Sequence, residues 1–303
     1  MSEAGNSILP DTLVSTEWLA DHLGVPSLRV VDSRGYVKSV DLGGGRQRAE
    51  YVGAPEEYAA GHIPGAVFVD WTADITDPDN PVKAQIAPPA RFAAAMAERG
   101  IGDDSDVVIV DHTGGHFATR LWWALRYYGH DRAAVLDGGF TKWAAEGRPL
   151  TQEVAAPTTA TFTPVTRPEL RVEAEDVLGI IGQRTARIVD ARDPAQYLGD
   201  VYRGSRAGHI PGAVSIPAKS LVNADGTWKP LSEQRRLLAA GGVRPGERVV
   251  AYCNGGVTAT AVLFALHRTG HAAYANYDGS WNEWGERPEL PVEVGAGASR
   301  GED

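Results

Sequence analysis

An internal repeat limits the fold of this chain more than any other feature of its sequence. Blocks in one order at matching spacing are typical of a duplicated domain, so we expect two copies of one unit. Three pairs of short blocks carry the repeat: VVDSRG (30–35) with IVDARD (188–193), GHIPGAV (61–67) with GHIPGAV (208–214), and LDGGFTKW (136–143) with YDGSWNEW (277–284).

A fourth, longer pair contains the only cysteine of the protein, Cys253. Residues 249–252 form a short apolar, β-prone run and residues 259–267 are mostly helix formers, which predicts a buried strand followed by a helix, with Cys253 at the junction. The matching segment of the first copy, VVIVDHTGGHFATRLWWALRYYGH, has Asp111 at the cysteine position and one more residue in its loop.

Each copy alternates short β-branched runs with helical stretches, which predicts an α/β fold: two tandem domains, each a parallel sheet flanked by helices. In such sheets ligands bind beyond the carboxyl ends of the strands, where Cys253 falls. We assign residues 1–148 to the first domain, the Thr- and Pro-rich segment 149–168 to a linker, 169–295 to the second domain and 296–303 to a flexible tail. The predicted helices outside the Cys253 segment are 15–23, 89–99, 172–181 and 232–240.

The loop from Cys253 to Thr258 has the features of an anion cradle. Its two adjacent glycines, Gly255 and Gly256, let successive backbone N–H groups converge on one point, which we expect to be the cysteine sulfur. Thr258 is a candidate N-cap, and the positive end of the following helix would favour a thiolate. The predicted site is therefore Cys253 as nucleophile, with a substrate-binding loop of Asn254, Gly255, Gly256, Val257 and Thr258.

Composition excludes several other classes of protein. One cysteine allows neither an intramolecular disulfide nor a cysteine-rich zinc site, and we find no ligand cluster for a metal and no sign of an organic cofactor. The net charge of −10 argues against nucleic acid as a partner. The N-terminal segment lacks the pattern of a signal peptide, and no apolar run is long enough for a membrane span, so we expect a cytoplasmic protein without a membrane partner.

With these motifs in view, the chain resembles the two-domain rhodanese family of sulfurtransferases over nearly its whole length. The resemblance implies that the second domain is catalytic and the first has lost its nucleophile. It also implies a cysteine persulfide that takes sulfur from an anionic donor, thiosulfate or 3-mercaptopyruvate, and passes it to cyanide or a thiol, with thioredoxin among the candidates. No metal or cofactor is then needed.

Three arginines are candidates for binding the anionic donor, because guanidinium groups pair well with sulfonates and carboxylates. Arg192 ends the strand of IVDAR and, by resemblance, points toward the pocket. Arg203 and Arg206 precede the second GHIPG turn, and the sequence is compatible with either a position in the pocket or a solvent-exposed position for each.

His62 and His209, inside the two turns, are interpreted as residues that hydrogen-bond the backbone. In some relatives a histidine of this motif lies opposite a serine of the cysteine loop. This chain has Gly255 at the position of that serine, so the histidine–serine pair is not predicted here.

The remaining motifs are given structural roles. Asp137 and Gly138, and their repeats Asp278 and Gly279, are interpreted as turns. Trp281 and Trp284 are expected to pack a short helix onto the sheet, with Trp281 a candidate wall of the pocket. The loop DHTGGH of the first copy suggests a metal or phosphate site, but its aspartate would repel anions and its histidines lack a third partner, so we expect a loop that has lost its function.

The sequence is also compatible with two other functions and, for a sulfurtransferase, with two sulfur donors. A cysteine-dependent phosphatase needs an arginine six positions after its nucleophile, and this chain has Ala259 there. A noncatalytic binding or oxidant-sensing module is also compatible with the fold. Within the sulfurtransferase interpretation, the neutral Asn254 and Gly255 after the cysteine favour 3-mercaptopyruvate over the dianion thiosulfate.

Overall fold

The computed structural model describes residues 7–154 and 156–296, so the predicted tail lies outside the described residues except for residue 296. The described chain forms thirteen strands and ten α-helices, with short 3₁₀ helices at Pro168–Leu170 and Ala218–Leu221. The strands are β1 Leu13–Val14, β2 Leu28–Asp32, β3 Gly35–Gly43, β4 Arg46–Gly53, β5 Val67–Phe68, β6 Asp106–Val110, β7 Ala133–Leu136, β8 Arg171–Val172, β9 Arg187–Asp190, β10 Tyr202–Arg203, β11 Val214–Ser215, β12 Val249–Tyr252 and β13 Tyr274–Tyr277. The helices are α1 Thr16–His22, α2 Pro55–Ala60, α3 Pro89–Glu98, α4 His116–Tyr127, α5 Gly139–Ala145, α6 Ala174–Gln183, α7 Pro194–Leu198, α8 Leu231–Ala240, α9 Ala259–Arg268 and α10 Ser280–Trp284.

The two large sheets have the same strand order, which confirms the duplicated α/β fold. The first runs β1-β7-β6-β2-β5 and the second runs β8-β13-β12-β9-β11, with all pairings parallel. Their central strands β6 and β12 are buried along their whole length, as the continuous apolar runs in the sequence require. The predicted helices are all present, with ends that differ by one or two residues.

The two domains share one core, because helices α4 and α9 pack against each other between the sheets. Each helix is buried along nearly its whole length, so this contact is shielded from solvent. Trp122 meets Phe264 edge to face with ring centroids 4.9 Å apart. The hydroxyls of Thr119 and Thr260, which occupy matching positions in the repeat, lie 3.0 Å apart. The duplicated helices therefore pack as counterparts across the domain boundary.

A third sheet, which the repeat pattern did not predict, joins the domains at the surface. Strands β3 and β4 form an antiparallel hairpin of the first domain, and β4 pairs in parallel with β10 of the second. Through this pairing Arg46 lies opposite Tyr202, and Gln47 opposite Arg203. The hairpin thus extends from the first domain over the carboxyl end of the second domain's sheet, the edge where Cys253 lies.

The two Asp-Gly turns also connect the domains. The Asp278 carboxylate accepts the backbone N–H of Ile86 at 2.8 Å, and Asp137 accepts the N–H of Trp228 at 2.8 Å. Each turn thus holds a loop of the opposite domain. The turn interpretation placed these aspartates correctly as structural residues but did not predict that their partners lie across the interface.

The predicted linker is extended and lies along the first domain. It contains no regular element before the 3₁₀ helix at Pro168–Leu170, and residue 155 is not among those described. The Val165 N–H donates to the Tyr128 carbonyl at 2.9 Å, and Phe162 is buried against Phe92. No helix in the described ranges is long and apolar enough to cross a membrane.

Candidate active site

Cys253 opens onto a cavity of about 200 Å³ between the domains. It follows β12 directly, and its residue surface is only 2% exposed, yet the side chain lines this cavity. The second domain contributes the cysteine loop and Arg192, while the first contributes Tyr51 from the hairpin and His116 from the start of α4. The sulfur is therefore shielded from bulk solvent but faces a space that can hold a small molecule.

Six of the predicted binding residues line the cavity and two do not. Gly256 belongs to the cysteine loop but does not line the cavity, and backbone carbonyls hold Arg206 elsewhere. The predicted residues in the cavity wall are Arg192, Arg203, Asn254, Gly255, Val257 and Thr258.

Several backbone N–H groups of the cysteine loop have no partner in the described protein. Those of Asn254, Gly255, Val257 and Thr258 donate to no acceptor there, although Gly255 and Val257 are buried. Buried N–H groups are nearly always bonded, so a row of free ones beside a cavity is the pattern of an anion-binding loop. Thr258 directly precedes α9, as expected, but its side chain makes no capping hydrogen bond.

In the matching loop of the first domain, backbone N–H groups bind an anionic side chain. The carboxylate of Asp111, at the cysteine position, accepts four backbone N–H groups at 2.8–3.0 Å, those of Thr113, Gly115, Phe117 and Ala118. Aligned from the helices, Phe117 and Ala118 correspond to Thr258 and Ala259. Our expectation for this loop overlooked that its aspartate supplies the bound anion itself instead of repelling one.

Ser280 holds the cysteine loop in place through hydrogen bonds, a role that the sequence did not predict. Its hydroxyl accepts the N–H groups of Cys253 and Gly256 at 3.1 and 3.0 Å and donates to the Tyr277 carbonyl at 2.7 Å. Its φ of 51° is a backbone conformation that non-glycine residues seldom adopt. The repeat contained a signal, because the first copy has Gly139 at this position, with a φ of 56°.

A side chain at either of the two loop glycines would meet a different obstacle. Gly256 has a φ of 69°, and a Cβ there would lie 2.6 Å from Asp278 Oδ1. Gly255 has no such φ, but a Cβ would lie 2.8 Å from Asn282 Nδ2 and 3.2 Å from the Tyr51 hydroxyl. A side chain at position 255 would therefore contact Asn282 closely, together with Tyr51, which the hairpin contributes to the cavity wall.

Arg192 lines the cavity, and most of its guanidinium is held by a buried ion pair. Its Nε and Nη2 donate to the buried Asp190 carboxylate, and Nη2 also donates to the Gly208 carbonyl at 2.7 Å. The first domain repeats this arrangement with Arg34, Asp32 and the Gly61 carbonyl. Burial by itself lowers the pKa of Arg192, but the adjacent Asp190 carboxylate raises this pKa by more, so the guanidinium stays protonated. Arg192 therefore lines the cavity with its Nε and Nη2 already occupied.

Arg203 and Arg206 have different positions. Arg203 lines the cavity, where its Nη2 donates to the Ser39 hydroxyl at 2.7 Å and its buried Nε has no partner. Arg206 does not reach the pocket, which corrects its prediction as a substrate-binding residue. Its guanidinium is occupied by backbone carbonyls that follow α10, because these carbonyls have no partners within the helix. The carbonyls belong to Trp284, Gly285, Arg287 and Leu290.

The histidines of the two GHIPG turns lie outside the cavity. The ring nitrogens of His62 are 2.8 and 3.0 Å from the carbonyl oxygens of Tyr58 and Glu153. His209 has the equivalent contact with Tyr197 and stacks on its ring. Both therefore contact the backbone as we interpreted them.

Three side chains of the first domain reach the cavity unpredicted, Val37, Tyr51 and His116, and the two polar ones are neutral. Burial lowers the pKa of His116, and no partner contacts its Nε2. Burial also raises the pKa of Tyr51, whose hydroxyl accepts a hydrogen bond from Asn282 Nδ2 at 3.0 Å. Neither position has a motif, since each depends on how the domains pack. Trp281 is buried under Arg192, whose guanidinium carbon lies 4.4 Å from the indole centroid.

No group of three or more histidine, cysteine or acidic side chains in the described ranges is arranged to hold a metal ion. The cavity contributes one carboxylate, Asp193, and it is ion-paired with Lys219. The polar features of the site include free N–H groups, one thiol and two arginines that are suited to binding an anion.

Comparison with known proteins places this chain in a family. The rhodanese-like domain model matches residues 15–146 and 173–287. A 3-mercaptopyruvate sulfurtransferase of Escherichia coli is 34% identical over 283 residues, covering 92% of this chain and 97% of that protein. A thiosulfate sulfurtransferase of Rattus norvegicus is also 34% identical, covering 97% of this chain and 98% of the relative.

Solved structures give the same result. The crystal structure of SseA from Escherichia coli, described as a 3-mercaptopyruvate sulfotransferase with the rhodanese fold, superposes with a TM-score of 0.79 at 32% identity, covering 89% of this chain and 98% of SseA. A complex of EanB with hercynine has the same TM-score at 25% identity, covering 94% of this chain and 69% of EanB.

Proposed function

The chain belongs to the rhodanese family and is a sulfurtransferase, and on this premise we propose that it transfers a sulfane sulfur through a persulfide on Cys253. The donor is thiosulfate or 3-mercaptopyruvate, and the acceptor is cyanide or a thiol. The observation that carries the proposal is the row of unpartnered N–H groups around Cys253. Two of these groups, at Gly255 and Thr258, correspond to Thr113 and Phe117 of the first domain, whose N–H groups bind the Asp111 carboxylate.

In the first half-reaction the Cys253 thiolate attacks the outer sulfur of the donor. An S–S bond forms to the cysteine while the donor's bond to that sulfur breaks, and the electron pair leaves with sulfite or with the enolate of pyruvate. The enolate takes up the proton that the mercaptopyruvate thiol has lost. The persulfide is an anion at its outer sulfur, and the N–H groups of Gly255, Val257 and Thr258 are available to stabilise it.

In the second half-reaction the acceptor removes the outer sulfur and the Cys253 thiolate is restored. The buried position of the cysteine, 2% exposed between the domains, supports a persulfide with a useful lifetime, because bulk water and stray thiols reach it poorly. Neither half-reaction requires a metal or an organic cofactor.

Two arginines would hold the donor's anionic end. Both Arg192 and Arg203 line the cavity, and the Nε of Arg203 has no partner. Guanidinium groups bind carboxylate and sulfonate oxygens through charge-assisted hydrogen bonds. Since Arg192 is already fixed by Asp190, it would present a preorganised donor at little entropic cost.

We expect intact-protein mass spectrometry to detect one added sulfur, about 32 Da, after brief incubation with either donor and removal of excess reagent. Adding cyanide should return the mass to its starting value. The Cys253→Ala variant should stay unmodified, and this control separates a persulfide from sulfur bound elsewhere. If neither donor increases the mass, the binding-module or sensor function is favoured instead.

The preferred donor is expected to be 3-mercaptopyruvate. The loop places no cation directly after Cys253, and Lys219, the additional cation in the cavity wall, is paired with Asp193. A dianion such as thiosulfate loses more from missing cations than a monoanion does, by about 1 kcal/mol for each missing partner. Measuring kcat/KM for both donors with one acceptor tests this, and a clear preference for thiosulfate would contradict it.

A further inference from the structure

A second cavity, of about 330 Å³, adjoins the Cys253 pocket under the β3–β4 hairpin. Four cationic side chains and one carboxylate line it, the cations being Arg46, Arg48, Lys83 and Arg203 and the carboxylate Glu286. This concentration of positive charge stands out on a chain whose net charge is −10. We refer to it below as the basic groove.

The cations of the basic groove are largely free to bind a ligand. Arg46 and Lys83 have no acidic partner in the described part of the chain, and Arg203 keeps an unpartnered, buried Nε. Arg48 pairs with Glu50 at 3.0 Å, but both side chains are about half exposed, so the pair is easily exchanged. Glu286 instead accepts a hydrogen bond from the Ser205 hydroxyl. The groove therefore favours an anion.

Tyr51 and Arg203 line both cavities, so the basic groove and the Cys253 pocket share a wall. Asn282 connects the two further, because its side chain bonds the Tyr51 hydroxyl and its backbone N–H donates to the Asn254 carbonyl at 2.7 Å. A molecule that extends past Tyr51 would have one end at the persulfide and the other among the cations.

The sizes of the two cavities suggest a division of roles. The Cys253 pocket, at about 200 Å³, suits a donor of a few heavy atoms. A larger thiol has to place most of its atoms outside that pocket. The groove at its border has both the room and the positive charge for the remainder of an acidic thiol.

We propose that the basic groove binds the carboxylates of an anionic low-molecular-weight thiol, the sulfur acceptor of the second half-reaction. This inference rests on the proposed function. The acceptor's thiolate attacks the outer sulfur of the Cys253 persulfide, the bond between the two enzyme-bound sulfurs breaks, and its electrons return to Cys253 as the thiolate. The proton of the acceptor's thiol has passed to the outer sulfur of the persulfide before this attack, and the acceptor leaves as R–S–S–H with that proton.

The test uses two thiols that differ in charge, mercaptosuccinate with two carboxylates and uncharged monothioglycerol. The persulfide is first formed and verified by mass, and the loss of about 32 Da is then timed with each thiol in single turnover. In the Arg46→Glu/Lys83→Glu variant we expect the rate constant with mercaptosuccinate to fall about tenfold or more, and that with monothioglycerol to change less than about twofold.

The matched control is Arg235→Glu/Arg244→Glu, which changes the net charge equally at two exposed positions that line neither cavity. This control should leave the ratio of the two rate constants unchanged. The proposal is overturned if the groove variant slows both thiols alike, or if the control variant lowers the ratio as much. Failure of the proposed function is a separate result, because the persulfide would then not form in the first step.

Discussion

Replacing Cys253 by aspartate is expected to abolish sulfur transfer and at the same time to give a protein more stable than the Cys253→Ala variant. The activity should fall at least about a thousandfold, because a carboxylate cannot form the persulfide. The free energy of unfolding should rise by about 1–3 kcal/mol relative to Cys253→Ala, since a carboxylate would accept N–H groups that now lack partners. The first domain already has this arrangement around Asp111.

Chemical denaturation of the wild type, Cys253→Ala and Cys253→Asp would measure the effect. The alanine variant is the control, because it is equally inactive but supplies no acceptor. If the aspartate variant is less stable than the alanine variant, the free N–H groups do not converge on the cysteine side chain. In that case the persulfide cradle in the proposed mechanism is wrong, even if Cys253 is still the nucleophile.

Replacing Arg120 by methionine is expected to destabilise the protein by about 3–5 kcal/mol, because a buried carboxylate loses its hydrogen-bonded cation and keeps only Arg171, whose Nε is 3.9 Å away. Arg120 lies on α4 of the first domain and is ion-paired with Asp278 of the second, and both side chains are at most 1% exposed. The same guanidinium donates to the Gly256 carbonyl at 3.1 Å and to the Ala84 carbonyl at 2.9 Å. One side chain thus ties the domain interface to the cysteine loop.

The readouts are the denaturation midpoint and the rate of persulfide formation. Arg236→Met is the control, since its contact with Glu233 is at the surface with the arginine 68% exposed, and it should cost less than about 1 kcal/mol. Persulfide formation should also slow in the Arg120 variant, because the Gly256 carbonyl loses a donor. A loss of stability no larger than that of the control would show that the buried pair does not hold the interface.

The features that followed from the sequence are those encoded within short segments. The strand at 249–252, the helix after it and the two glycines between them depend on neighbouring residues, and each lies where the pattern predicted. The repeat added the domain duplication, because two copies of one local pattern must fold alike. The same reasoning identified Cys253 and placed it at the carboxyl edge of a parallel sheet.

The positions of side chains that act across the chain required the tertiary structure. Arg206 lies three residues from Arg203 and follows the same pattern rules, yet carbonyls near residues 284–290 bind it away from the pocket. Tyr51 and His116 reach the cavity only because the hairpin and α4 pack over the second domain. The sequence alone determined the repeated α/β fold and the cysteine loop, since both depend on local preferences. Only the packing of the two domains decided which side chains surround the sulfur, because those contacts join residues far apart in the chain.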